Sequence, residues 1–287
     1  MNRSQEIHRG KSLVRRLKRK FALALLLARK KVYRLGIAVV RRSGAASRVV
    51  YVAGVQRSGT NMLMYILDQP LVTEVFHERN PDLYDGYQMR SREVLRSVIG
   101  GCSAQFIVVK TLCELQYVRE FLDEFPGCRC IWLFRNHADV VNSHIAHGWY
   151  KMPYFIGEIV AGRLDNSGWR GSDLPPAILD TIRDLYHPDI DNVSACALFW
   201  YYRNMLYFAL DLDHEERVLV VSYEQLVADK AQQFQHIFDF VGIDYDPKYV
   251  ANVHGRSLSK KSPPVIEPRI RDACMELERR LLKNANR

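Results

Sequence analysis

The residue types best suited to chemistry sit together at positions 54–61, Gly54-Val-Gln-Arg57-Ser58-Gly59-Thr60-Asn61. An apolar, β-branched run at 49–53 precedes them. Met62, Leu63, Ile66 and Leu67 follow at helical spacing. A strand that enters a glycine-bounded loop opening a helix can point successive backbone amides and the helix N-terminus at one anion. Glycine is needed where such a backbone turns tightly or nears the ligand. The spacing Gly54-x4-Gly59 is that of a nucleoside-triphosphate loop, which continues with Lys and then Ser or Thr to hold the phosphates and Mg²⁺. Here Thr60 and Asn61 follow, and the cation sits inside the loop at Arg57. No later strand ends in an Asp that would help hold Mg²⁺; the third ends in Arg135. The pattern predicts a phosphate ligand handled by Arg, hydroxyls and amides, with no metal.

The elements that must position these residues alternate in period. Continuous apolar runs at 49–53, 106–109, 130–134 and 218–221 predict strands, and 60–67, 115–125, 138–146 and the stretch through 234–241 predict helices. That alternation indicates an α/β fold, a parallel β-sheet flanked by helices on both faces. Ligands of such sheets bind beyond the C-terminal strand ends. Residues 147–192 interrupt the rhythm with Trp149, Tyr150, Tyr154, Phe155, Trp169 and Tyr186. They read either as a roof over an acceptor site or as an excursion with its own small apolar cluster. Length fits one domain with an extension, divided as 1–47, a basic N-terminal extension, and 48–287.

The stretch "GVQRSGTNML" resembles the 5′-phosphosulfate loop of the sulfotransferase family. A second signature of that family is an Arg at a strand end with a Ser eight residues on; "LFRNHADVVNS" supplies Arg135 and Ser143. The resemblance implies a P-loop-like sulfotransferase fold and the donor 3′-phosphoadenosine 5′-phosphosulfate, with Arg57, Ser58, Gly59, Thr60 and Asn61 on its 5′ side. Arg135 and Ser143 would hold its 3′-phosphate, the guanidinium acting as a fork. Where the family often has Asp-Pro after the Arg, this chain has Asn136-His137. Three further segments are similar to family patterns. "VVKT" places Lys110 near the transferring sulfuryl group. "VVSYEQLV" places Tyr223 near the adenine. "HGRSLSKKS" offers Arg256, Ser259 and Lys260 as a loop closing on the 3′-phosphate. The resemblance covers roughly residues 49–262.

Sulfuryl transfer should follow the logic of phosphoryl transfer, with charge building on the leaving oxygen of a loose in-line transition state. Arg57, the loop amides and Lys110 would meet that charge, and a base must take the acceptor proton. Cytosolic family members use a His two residues after the strand-end Lys; here that position is Leu112. Branches acting on carbohydrates or tyrosyl residues tend to use a Glu, and "VTEVFHERNP" makes Glu78 the choice, with His77, His144, His147 and Glu114 as alternatives. A carbohydrate or glycolipid hydroxyl is the expected acceptor. The competing readings are a P-loop kinase-like, ATP-dependent phosphotransferase and a non-catalytic nucleotide-binding protein at a membrane.

Charge is unevenly spread. Residues 1–48 hold fifteen Lys/Arg and one acid, Glu6, while the rest of the chain holds 26 bases and 31 acids. Leu13, Leu17, Phe21, Leu25 and Ala28 fall at helical spacing among the bases, so 11–42 reads as a basic amphipathic helix suited to an anionic membrane surface. It carries no nucleic-acid-binding motif, and nucleic acid is not an expected partner. The best candidate for a span, the eight-residue apolar run 21–28, is far shorter than a bilayer requires. The expected location is cytoplasmic, peripheral at the inner membrane face. Cys102, Cys113, Cys128, Cys130, Cys196 and Cys274 form no C-x-x-C pair and no metal-ligand spacing, and read as small buried hydrophobes.

Overall fold

A computed structural model describes residues 24–33, 36, 47–163, 168–254 and 262–286. Residues 24–33 are helical (α1). Five strands form one all-parallel sheet: β1 (Arg48–Ala53), β2 (Thr73–Phe76), β5 (Phe106–Thr111), β6 (Arg129–Phe134) and β7 (Val218–Ser222), in the order β2-β5-β1-β6-β7. The loop-bearing strand β1 is thus central. A small hairpin, β3 (Tyr84–Asp85) and β4 (Gln88–Met89), stands apart.

Side-chain alternation on the strands builds two cores. Tyr51, Ile107, Val109, Trp132 and Phe134 enter one; Val50, Val52, Val108, Ile131 and Leu133 enter the other. Both faces of the central strands are buried, which explains why they read as unbroken apolar runs. The first face is covered by α3 (Arg92–Gly100), α4 (Val118–Glu124), α5 (His137–Ala146), α8 (Asn192–Ala209) and α11 (Pro268–Ala285). The second is covered by α2 (Thr60–Leu67), α9 (Tyr223–Ala228) and α10 (Lys230–Val241).

The segment 147–192 is no surface excursion. Its helices α6 (Met152–Val160) and α7 (Pro176–Leu185) send Phe155, Ile156, Ile159, Ile178 and Ile182 into the main core against α8. The helix expected over 115–125 begins as a 3₁₀ turn, Leu115–Tyr117, before α4. Arg203, fully buried on α8, explains the tight path there: its guanidinium donates to the carbonyls of Leu112 and Cys113, both at 2.9 Å. All six cysteines are free thiols, and all but Cys102 are buried.

The described part of the basic arm, α1, is fastened to the body. Lys30 is buried, and its Nζ donates to Asp68 Oδ1 at 2.6 Å and to the Thr73 carbonyl at 3.0 Å. The helix also exposes Leu25, Leu27 and Val32 (53%, 54% and 70%), with Arg29 and Lys31 exposed among them. Among the described residues no helix is long and apolar enough to cross a membrane.

Candidate active site

Each strand of the sheet delivers a candidate residue at its C-terminal end. Following the strand order, β2 leads to His77 and Glu78, β5 to Lys110, β1 to the loop 54–61, β6 to Arg135, and β7 to Tyr223. A parallel sheet turns widely separated sequence positions into a row along one edge, with neighbours about 4.8 Å apart.

The loop after β1 is shaped by backbone. Gly54 has φ 145°, and a Cβ there would lie 2.2 Å from the Leu133 carbonyl oxygen. Gly59 has φ 95°, and its Cβ would strike the Tyr223 ring at 2.4 Å. Arg57 is also left-handed, φ 74°, at roughly 1–2 kcal/mol for a residue with a Cβ. Left-handed residues in such a loop let successive amides converge on an anion. The loop opens α2, whose first amides have no intrahelical acceptor. Ser58 is fully buried, and its Oγ has no hydrogen-bond partner among the described residues. A loop that rejects a Cβ at both glycines and holds a buried hydroxyl in reserve fits a phosphate-type anion.

On the β5 side, Lys110 Nζ donates to Asn61 Oδ1 at 2.6 Å and pairs with Glu78 Oε2 at 2.7 Å. Lys110 is buried, which lowers its pKa, while Glu78 pulls it back up. Burial also lowers the pKa of His77, with Lys110 adding to the effect. The hydroxyl of Tyr84 donates to the Lys110 carbonyl at 2.5 Å, tying the hairpin segment to this strand end. Loop, lysine and carboxylate therefore form one connected chain, Asn61–Lys110–Glu78.

On the β6 side, Arg57 Nε donates to Ser143 Oγ at 2.9 Å, so the two signature segments meet directly. A second Arg57 nitrogen lies 2.9 Å from His147 Nε2, and His147 Nδ1 lies 2.8 Å from the Ser143 carbonyl. That geometry needs the neutral Nδ1–H tautomer: Nδ1 donates to the carbonyl and Nε2 accepts from the guanidinium. Burial and the nearby Arg135 both lower the Arg57 pKa. Two guanidiniums that repel each other in this way favour an anion nearby. Arg135 pairs with Asp139 at 2.9 Å and lies over the Tyr223 ring, 4.7 Å from its centroid. Tyr223 is buried between Gly59 and Arg135.

Three candidates, Arg256, Ser259 and Lys260, fall outside the described residues. Of the alternatives to Glu78, His144 does something else. It is fully buried, stacked on Trp149 at 4.1 Å, and its Nε2 reaches the Gln56 carbonyl at 3.2 Å. Burial pushes its pKa down to about 3, so a neutral ring braces the loop backbone. Glu114 is buried and pushed up to about 7 by that burial, though its carboxylate accepts from Met89 N at 3.0 Å. Sequence reasoning did not find Glu224 or Glu278. Glu224 accepts from Asn136 N at 3.0 Å, and Glu278 from Asn136 Nδ2 at 2.7 Å. The departure from Asp-Pro at 136–137 was the only local signal that something else secures this turn.

The family model for the sulfotransferase domain matches residues 47–262. No curated protein sequence matches the chain. Among solved structures, the chain resembles the sulfotransferase domain from the curacin biosynthetic pathway at 13% identity and TM-score 0.50, over 82% of this chain and 99% of that one. It is also similar to a sulfotransferase from Alicyclobacillus acidocaldarius (17% identity, TM-score 0.46, 84% and 95% covered). A third similar structure is mouse sulfotransferase SULT7A1 complexed with PAP (13%, 0.45, 84% and 87%). At 13% identity the first of these likenesses speaks only to the fold.

Proposed function

The chain belongs to the sulfotransferase family, and on that premise we propose that it moves a sulfuryl group from 3′-phosphoadenosine 5′-phosphosulfate to a carbohydrate or glycolipid hydroxyl. The observation that carries this reading is the Arg57–Ser143 contact, which joins the 5′ loop to the segment read as the 3′-phosphate site. One bisphosphorylated nucleotide can then span both. Its 5′ phosphosulfate would lie against residues 54–61, with Ser58 Oγ as a ready donor, and its 3′-phosphate against Arg135 and Ser143. Arg256, Ser259 and Lys260 would close over the latter, with Tyr223 beside the adenine.

In this arrangement Arg57 and Lys110 offset charge on the leaving oxygen. Glu78, paired with Lys110, takes the acceptor proton. The S–O bond to the donor phosphate breaks as the bond to the acceptor oxygen forms, leaving 3′-phosphoadenosine 5′-phosphate. A metal-free mechanism is supported by Thr60 and Asn61 standing where an Mg²⁺-dependent loop has Lys and Ser/Thr. Leu112 in place of the phenol-type histidine supports the carbohydrate-type branch. The exposed Leu25, Leu27 and Val32 beside Arg29 and Lys31 support peripheral contact with an anionic membrane face, on the cytoplasmic side.

Calorimetric titrations with 3′-phosphoadenosine 5′-phosphate and with ATP–Mg²⁺ test the donor assignment. Saturable binding of the first without added metal, and weaker binding of the second, is expected. Preference for ATP–Mg²⁺ would move the chain to the kinase-like reading.

A further inference from the structure

The turn that presents Arg135 is held from the far end of the chain. Asn136 caps α5, its Oδ1 accepting from the amides of Ala138 (3.0 Å) and Asp139 (3.3 Å). Its Nδ2 donates to Glu278 Oε1 at 2.7 Å. The other carboxylate oxygen of Glu278 lies 2.6 Å from His137 Nδ1 and 3.4 Å from the His137 amide. Glu224 accepts from the Asn136 amide at 3.0 Å, and Ser222 Oγ donates to Glu224 at 2.9 Å. Two carboxylates, from α9 and α11, therefore enclose the residues next to Arg135. Trp200 adds a third hold, its indole N–H donating to the Arg135 carbonyl at 3.0 Å.

Glu278 lies beyond the segment matched by the family model, which ends at residue 262. Its helix, α11, buries Ile270, Cys274, Leu277 and Leu281 against the core. One turn after Cys274, beside the apolar stripe, the same helix carries the Glu278 carboxylate. Burial alone would raise the pKa of Glu278, but hydrogen bonds from His137 and Asn136 outweigh it, and the group sits below its usual range. It is therefore ionised and engaged at neutral pH. A short, charge-assisted clamp of this kind is worth more than a neutral bond, and it acts on the backbone from which the Arg135 fork projects.

We infer that Glu278 is a positioning residue for 3′-phosphate recognition: through Asn136 and His137 it fixes the turn that aims Arg135, making the C-terminal helix part of the donor site. The inference rests on the donor reading given above. It separates from a purely structural role because its effect must depend on whether the ligand carries a 3′-phosphate.

The experiment compares the affinities of 3′-phosphoadenosine 5′-phosphate and 5′-AMP for the wild-type chain, Glu278→Ala and Glu278→Gln, with thermal melts of each. The wild type should prefer the bisphosphate. Glu278→Ala should lose about tenfold or more of its bisphosphate affinity, while 5′-AMP changes less than about twofold. Glu278→Gln keeps an acceptor for Asn136 and should recover part of the loss. Should Glu278→Ala fold poorly, Glu278→Gln carries the same ratio test with a smaller expected shift. Equal losses for both ligands, or no loss for either, overturn the inference. A wild-type chain with no preference for the bisphosphate overturns the donor reading as well, and so marks which of the two failed.

Discussion

The two halves of the candidate site are built by different means. The 5′ half, residues 54–61 with Lys110, takes its shape from backbone: two glycines that admit no Cβ, a left-handed Arg57 and a buried Ser58 hydroxyl held in reserve. The 3′ half, around Arg135, takes its shape from side chains, an ion pair to Asp139, an aromatic floor and carboxylates from two distant helices. A backbone cradle fails all at once when one atom is added. A side-chain clamp should fail in increments as its members are removed.

That contrast can be broken most directly at Gly54. Gly54→Ala puts a methyl 2.2 Å from the Leu133 carbonyl at φ 145°. It should abolish measurable donor binding and destabilise the fold by roughly 2–4 kcal/mol, read by calorimetry and denaturant melts. Near-normal binding would mean that the loop is not a backbone cradle. Next in size is Glu78→Gln. With Glu78 as the base, turnover should fall by roughly 10²–10⁴ while product-nucleotide affinity holds. A wild-type rate would assign the proton transfer elsewhere. Arg57→Ala removes the side chain that bridges the halves, and should weaken donor binding by about 10–100-fold. Unchanged affinity would show that the halves bind independently.

The smallest expected effect is a pH dependence beside the 5′ half. The folded state keeps the Glu114 carboxyl protonated to about 7, above its ordinary value of 4.5. Stability from the neutral carboxyl is therefore complete below about pH 4.5 and is lost as the pH rises through 7. Glu114→Gln should remove that slope, so its stability relative to wild type improves between pH 4.5 and 8 by a few kcal/mol at most. Parallel denaturation curves for the two proteins across that range would contradict the assignment.

Legibility in the sequence follows the same division. The loop 54–61 was readable because a strand, two glycines and an amphipathic helix are local signals, and α2 begins at Thr60 and ends at Leu67 as its apolar spacing indicates. Arg135 and Ser143 were readable as a strand-end residue and one two helical turns on. Buried central strands announced themselves through continuous apolar runs. The edge strand β2 and the β3–β4 hairpin carry only short, mixed segments, and gave no comparable periodicity. Glu278, Glu224, Arg203 and His144 were invisible as supports for another reason. Each acts on backbone far away in the chain, 141 positions in the case of Glu278 and the His137 amide, and nothing in a residue's own neighbourhood records a partner at that distance.

Lys30 carries a geometric consequence. It grips Asp68, just past the last residue of α2, and Thr73, the first residue of β2. Both lie at the pole of the domain opposite the strand ends that gather Glu78, Lys110 and Arg57. An extended chain rises about 3.3 Å per residue, so a surface that met α1 at Lys30 would lie roughly 17 Å, the run from Thr73 to Glu78, from the reacting edge. A freely diffusing hydroxyl meets no obstacle in this layout, whereas one rooted in the same surface would need a headgroup long enough to reach around the domain.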